Sequence, residues 1–258
     1  MASFFYSNVV GYQDIDVAGG GITWAVATMP SVGVSLDNQT LGSFALPTDQ
    51  GFSSGDSIVL EIYNSAGSLE GAYSFVDEAN CAGYGLTNPG WYPLSAMQEW
   101  TATDDDLSND VVIEYGKGII ITSAESDTKV TFAGEVLKAP PSITLVGGGI
   151  TWTGNATPVD LTLGDLALPT DQGFSSGDSI VLELYNAAGN LEGAYSFVDE
   201  ANCAGYGLTN PGWYPLSAMQ EWTATDDDLS NNLPIASGKM VIITSAEADT
   251  TLTLPSPL

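Results

Sequence analysis

The sequence predicts an all-β fold, built as two tandem homologous β-sandwich or barrel-like domains over residues 1–138 and 139–258. Three observations carry this expectation. The segment from Leu69 to Asn109 recurs from Leu191 to Asn231 without a single difference. Apolar residues alternate along the intervening runs with a period of two, the pattern of a half-buried strand. The composition is rich in glycine, with 29 residues, while only 14% of the chain is charged. That mixture suits many short strands joined by tight turns.

The repeat extends beyond its identical part. "LPTDQGFSSGDSIVLE" begins at Leu46 and again at Leu168, and "ITSAESDT" from Ile121 returns as "ITSAEADT" from Ile243. The first copy is longer after Trp24, where "AVATMPSVGVSLDNQT" stands against "TGNATPVD" after Trp152. Within each copy "SIVLEIYNSAGSLEGAYSFV" reads as a β-hairpin. Ile58, Leu60 and Ile62 alternate, Asn64 to Gly67 turn, and Leu69, Ala72 and Phe75 return. "NPGWYPLSAMQEWTATDDDLSN" is long, aromatic and turn-rich, with one helical turn expected at Ala96 to Trp100. "GKGIIITS" and "TKVTFAGEV" supply two further strands.

The charge balance excludes whole classes of partner. Thirty-two acidic residues face four lysines, with no arginine and no histidine, for a formal charge of -28. Nucleic acid and anionic membrane surfaces are both read through Lys and Arg, so neither is expected to bind. No stretch approaches the roughly 20 apolar residues that span a bilayer, and the N-terminus lacks a basic leader region. So few sites for trypsin-like proteases suit an extracellular or cell-surface location.

The opening strand poses a separate question. Placing the two "GGGITW" segments in register sets "SFFYSNVVGYQDIDVAGG" opposite "TFAGEVLKAPPSITLVGG", with Phe4 over Phe132 and Ile15 over Ile143. On that alignment "TFAGEV" ends copy one and opens copy two, while Pro255 and Pro257 stop the second copy's last ladder. The slot filled internally by "TFAGEV" would then lie open at the C-terminal end. A strand carrying Phe4, Phe5, Tyr6, Val9 and Val10 of another subunit would fill it, with Phe5 and Val9 turned inward. The leading expectation is thus a structural, self-assembling subunit of an extracellular filament, tube or surface layer, joined head-to-tail as a homopolymer. The alternative is a carbohydrate-binding surface module.

"YSNVVGY" at Tyr6 to Tyr12, "GDSIVL", "GWYP" and "KVTFAGEV" at Lys129 to Val136 resemble motifs of exported repeat proteins of planctomycete, verrucomicrobial and related bacteria. The resemblance implies a secreted or surface-anchored β-domain. The second copy departs from it in lacking "GEV".

Several side-chain groups are candidates for chemistry. Asp104, Asp105 and Asp106, repeated as Asp226, Asp227 and Asp228, place three carboxylates at a turn, and Asp49 or Asp56 could join them around calcium. The competing interpretation is a solvated capping cluster. Trp24, Trp91 and Trp100, with Trp152, Trp213 and Trp222, could stack on sugar rings, though tryptophan also fills cores and interfaces. Paired acids could form a glycosidase dyad. Two nearly identical complete sites on one chain and the lack of histidine argue that the protein is not an enzyme. Cys81 and Cys203, one per copy, are expected as buried free thiols. Lys117 and Lys239 are the basic residues at matched positions and are expected in a solvated turn. Asn38 and Asn155 lie in glycosylation sequons.

Overall fold

The computed structural model describes residues 10–27, 38–43, 58–123, 127–135, 142–166, 168, 180–245 and 249–255. Copy one contains β1 (Val10–Val17), β2 (Gly21–Val26), β3 (Asn38–Thr40), β4 (Ile58–Tyr63), β5 (Leu69–Val76), β6 (Gly90–Pro93), the short helix α1 (Leu94–Gln98), β7 (Val112–Glu114), β8 (Gly118–Ser123) and β9 (Thr128–Glu135). Copy two contains β10 (Ser142–Leu145), β11 (Gly149–Gly154), β12 (Leu161–Thr162), β13 (Ile180–Tyr185), β14 (Leu191–Val198), α2 (Glu200–Cys203), β15 (Gly212–Pro215), α3 (Leu216–Gln220), β16 (Pro234–Ile235), β17 (Met240–Ser245) and β18 (Thr250–Thr253). Among the described residues no helix is long and apolar enough to cross a membrane.

Each copy is a sandwich. A five-stranded antiparallel sheet of order β2-β8-β4-β5-β6 forms one layer of copy one, and β11-β17-β13-β14-β15 repeats it in copy two. Every described sheet draws its strands from a single copy. The central hairpin forms for the reasons its sequence carries. Ile58, Leu60 and Ile62 are buried while their neighbours are half-covered. The Asn64 carboxamide oxygen accepts from the amides of Ala66 and Ser68, and Gly67 takes the left-handed φ of 75° that the turn demands. The sheet's inner face packs Ala25, Leu60, Phe75, Trp91 and Ile119 against Val17 and Val130 of the β1–β9 ribbon and Ile113 of the β3–β7 ribbon.

The closing ribbon corrects the reading of "TFAGEV". β9 pairs antiparallel with β1 of its own copy along their whole length, from Val10 opposite Glu135 to Val17 opposite Thr128. Copy two closes in the same way, β10 pairing with β18 from Ser142 opposite Thr253 to Leu145 opposite Thr250. "TFAGE" therefore belongs to copy one alone, and β18 is its counterpart in copy two. The register holds for β1 and β10, with Ile15 over Ile143, but upstream of β10 it runs across the boundary between the copies into β9. Of the proposed assembly residues, Val10 pairs within the chain, while Phe4, Phe5, Tyr6 and Val9 lie outside the described residues.

The two copies meet through β2 and β11, the outer strands of their five-stranded sheets. The period of two sends Ala25 into its own core and Trp24 and Val26 towards the other copy. Four rings form one column across the junction: Tyr63 on Trp152 at 5.2 Å, Trp152 on Trp24 at 5.5 Å, and Trp24 on Tyr185 at 5.3 Å. The contact is reciprocal. The Trp24 amide donates to Ala187 O at 2.8 Å, and the Trp152 amide donates to Ser65 O at 2.7 Å. Val26 adds a third bond to Gly238 O. These bonds satisfy strand edges that would otherwise be open to other chains.

Each tryptophan lies on the turn glycine of the opposite hairpin. A Cβ on Gly67 would stand 2.7 Å from Trp152 Cε2, and one on Gly189 would stand 2.8 Å from Trp24 Cε2. Glycine is thus required there twice over, by backbone conformation and by ring contact. Only copy one supplies Tyr115, whose hydroxyl donates to Ala156 O at 2.5 Å and is held well above its usual pKa by burial.

Candidate functional site

The six tryptophans, equivalent pair by pair in sequence, divide into three jobs. Trp91 and Trp213 are 1% exposed and pack edge-on against Phe75 and Phe197 in the two cores. Trp24 and Trp152 form the junction column. Trp100 and Trp222 are 73% exposed, the most exposed large apolar side chains among the described residues.

The backbone beneath Trp100 explains how it is held out. α1 ends at Gln98 with Glu99 as its C-cap. The Trp100 amide donates to Met97 O at 3.2 Å, and the Thr101 amide reaches back to Ala96 O at 2.9 Å. This pair of bonds is the Schellman ending of a helix, which needs a left-handed residue just past the cap and usually takes glycine there. Trp100 occupies that position at φ 57°. Trp222 does the same at φ 57°, with its amide on Met219 O and Thr223 on Ala218 O. They are the only non-glycine residues at positive φ among those described. A β-carbon in that conformation costs about 1–2 kcal/mol.

A tyrosine backs each exposed indole. Tyr84 stacks on Trp100 with ring centroids 5.1 Å apart and planes 28° from parallel, and Tyr206 stacks on Trp222 at 5.1 Å and 26°. Tyr84 and Tyr206 were not legible as site residues in the sequence. Their only signal is an aromatic beside a glycine in a loop, which many cores share.

The acid triplet ties the two loops of this platform together. Asp104 accepts from the Thr87 hydroxyl at 2.6 Å, the Thr87 amide at 2.9 Å and the Asn88 amide at 3.2 Å. Those bonds anchor the loop just past Tyr84 to the loop just past Trp100. Asp106 turns back to accept from the Thr103 amide and hydroxyl, both at 2.8 Å, completing a capping box. Both carboxyls lie below the usual carboxylate range. For Asp104 the Thr87 hydroxyl is the main cause, and for Asp106 the Thr103 amide. Asp226 and Asp228 repeat the arrangement on Thr209 and Thr225.

This arrangement is that of the capping cluster. The oxygens of Asp104 and Asp106 point at different donors in their own loops. Among the described residues no three His, Cys, Asp or Glu side chains converge to hold a metal. Asp105 and Asp227 sit in the same turns; Asp49 and Asp56 lie outside the described residues.

Other expected groups fall into place as structure. Cys81 and Cys203 are buried free thiols, their Sγ donating to Asp77 O and Asp199 O at 3.2 Å. Burial, with the nearby Asp77 and Asp199 charges, pushes both thiols up. Lys117 and Lys239 are not solvated turn residues: their side chains are 18% and 20% exposed. Lys117 pairs with Glu70 and, at 3.1 Å, with Glu114, while Lys239 pairs with Glu192. Each pair borders a shallow cleft of about 290 or 300 Å³ beside the aromatic column. Asn155 is 1% exposed and bonded on both sides, to Val159 O, Ile235 O and Thr157. Its sequon is therefore closed in the folded chain. Asn38 lies in β3.

No family model, curated protein or solved structure matches the chain.

Proposed function

We propose that the protein is a bivalent glycan-binding module acting at a cell surface or outside the cell, with one Tyr–Trp platform on each copy. The observation that carries this reading is the placement of Trp100 and Trp222. Each is a large apolar ring, exposed, in a backbone conformation that glycine would occupy without strain. Strain retained at an exposed residue marks selection for something other than folding. A flat aromatic face backed by a second ring is suited to stacking against the apolar face of a pyranose.

The internal repeat supports the same view. The segment that carries the platform is identical in both copies, including exposed Ser95, Gln98 and Glu99. The junction face, by contrast, differs at Val26 and Gly154, Tyr115 and Ser237, and Gly118 and Met240. The filament expectation rested on an open slot matching "TFAGEV". With β9 occupied by β1, that argument no longer favours assembly over glycan binding.

Titration with soluble polysaccharides, read by tryptophan fluorescence, tests the proposal. Trp100→Ala and Trp222→Ala should each weaken binding, and the double variant should abolish it, with melting unchanged by more than a few degrees. Unaltered binding by the folded double variant would overturn the reading.

A further inference from the structure

From the acidic residues of the segments that carry the platforms we infer that their ligand is an amine-bearing glycan, a polymer of sugar units with free, protonated amino groups. This rests on the glycan-platform reading and narrows it to one chemical class.

The first support is local charge. Between Val76 and Asp110 the chain carries Asp77, Glu78, Glu99, Asp104, Asp105, Asp106 and Asp110, and no basic residue. Copy two repeats this from Val198 to Asn231 with Asp199, Glu200, Glu221, Asp226, Asp227 and Asp228. Glu99 and Glu221 immediately precede the platform tryptophans and are exposed. The acids bear on their surroundings. Tyr92 is pushed up to about 12, first by burial and then by the Asp104 charge, and Tyr214 likewise by burial and Asp226.

The second support is the disposition of the cations. Lys117 is paired with Glu70 and Glu114, Lys129 with Asp14 and Asp16, and Lys239 with Glu192. Among the described residues no lysine remains to receive a uronate, a sulfate or a sialic acid. An anionic glycan would approach platforms carried on segments with no basic residue, inside a chain of net charge -28. A neutral glycan could stack but would draw nothing from the acids. An amino sugar uses both parts, its ammonium attracted to the carboxylates and to the indole face, which favours cations electrostatically.

The Asp104 and Asp106 carboxyls serve this purpose without being spent. Their bonds to Thr87 and Thr103 fix the loops and hold the groups ionised, while Asp105 stands exposed between them. One platform per copy also allows a single polymer to engage both, which raises overall avidity where the chain can span them.

Calorimetry on the full chain at about pH 6, where sugar amines are protonated, compares three probes: a glucosamine oligomer, its fully N-acetylated counterpart, and polygalacturonate. The glucosamine oligomer should bind about ten-fold tighter than the acetylated one at low salt. The gap should close in high salt, and polygalacturonate should not bind. Asp105→Asn with Asp227→Asn should narrow the gap, because these exposed acids attract the amine without holding the loop. Equal affinity for the glucosamine oligomer and its N-acetylated counterpart would overturn the amine inference and leave glycan binding standing. Binding of the glucosamine oligomer that survives Trp100→Ala with Trp222→Ala would show adsorption by charge alone and overturn both. Failure of all three probes to bind would also overturn the amine inference.

Discussion

Gly118 of copy one lies against the terminal methyl of Met240 in copy two, so closely that a Cβ on Gly118 would stand 2.9 Å from Met240 Cε. The two residues occupy equivalent positions in the repeat. Val26 and Gly154, also equivalent, meet in the same way, a Cβ on Gly154 falling 2.5 Å from Val26 Cγ2 and closer still to the Lys239 carbonyl. At both places one copy is large where the other is small. Copies that began alike have thus diverged into a matched pair, and neither face would fit a second version of itself: two Met240 side chains would collide, and two glycines would leave a void.

This complementarity predicts energetic coupling between positions 118 and 240. Gly118→Val should cost about 1–3 kcal/mol by overpacking, and Met240→Ala about 2–5 kcal/mol by leaving a cavity. Combined, they should cost less than their sum by at least about 1 kcal/mol, since each makes room for the other. Denaturant unfolding of the four chains measures the cycle. Strict additivity would mean that the two side chains do not share one space.

The hairpin glycines offer a second test of the junction. Gly67→Ala forces a side chain into both a left-handed backbone and the face of Trp152, and Gly189→Ala does the same beneath Trp24. Either change should part the ring column and admit water, giving a red shift in tryptophan emission before global unfolding. A control at Gly85 separates the causes. It shares the left-handed φ, at 73°, but has nothing within 4 Å of its Cβ. Gly85→Ala should therefore cost only the backbone penalty of about 1 kcal/mol and leave emission unchanged.

Much of this fold is readable because its signals are local. The alternation of Ile58, Leu60 and Ile62 and the Asn64–Gly67 turn define the central hairpin before any partner strand is known. The repeat announces the second sandwich outright. What the chain hides is the identity of neighbours. Nothing local distinguishes β9 pairing with β1 from β9 opening copy two, because antiparallel pairing is set by contacts more than a hundred residues apart. The site is hidden for a similar reason. Six tryptophans look alike in sequence, and only the backbone conformation at Trp100 separates a displayed ring from a buried one.

The acid triplet predicts a pH dependence with a definite sign. Hydrogen bonds hold Asp104 and Asp106 below the ordinary value of 3.8, as they do Asp226 and Asp228. A carboxyl whose pKa is lower folded than unfolded stabilises the fold above its unfolded value, and that contribution fades as pH falls through the folded value. Replacing Asp104 by Asn removes the charge and keeps the shape. The wild type should melt higher than Asp104→Asn near neutrality, and the difference should shrink below pH 3.8. Because both chains share the remaining acids, the comparison cancels general relief of charge repulsion. A difference that persists unchanged into strong acid would place the contribution in shape alone.

The last prediction separates strain from function at Trp100. Trp100→Gly removes a left-handed β-carbon, a gain of about 1–2 kcal/mol. It also forfeits the stack on Tyr84, worth about 0.5–1.5 kcal/mol, and gives the unfolded chain more freedom, a further loss of about 0.5–1 kcal/mol. These nearly cancel, and with the ring 73% exposed little buried area is lost. Trp100→Ala keeps the strained backbone and loses the same stack. The glycine variant should therefore be at least as stable as the alanine variant, by about 0.4–1 kcal/mol, although both lack the platform. Glycan binding should fall equally in the two, leaving only the Trp222 site. A glycine variant markedly less stable than the alanine variant would show that the ring's backbone position is not left-handed in solution. A large loss of stability in both would return Trp100 to the protein's structure and remove it from the site.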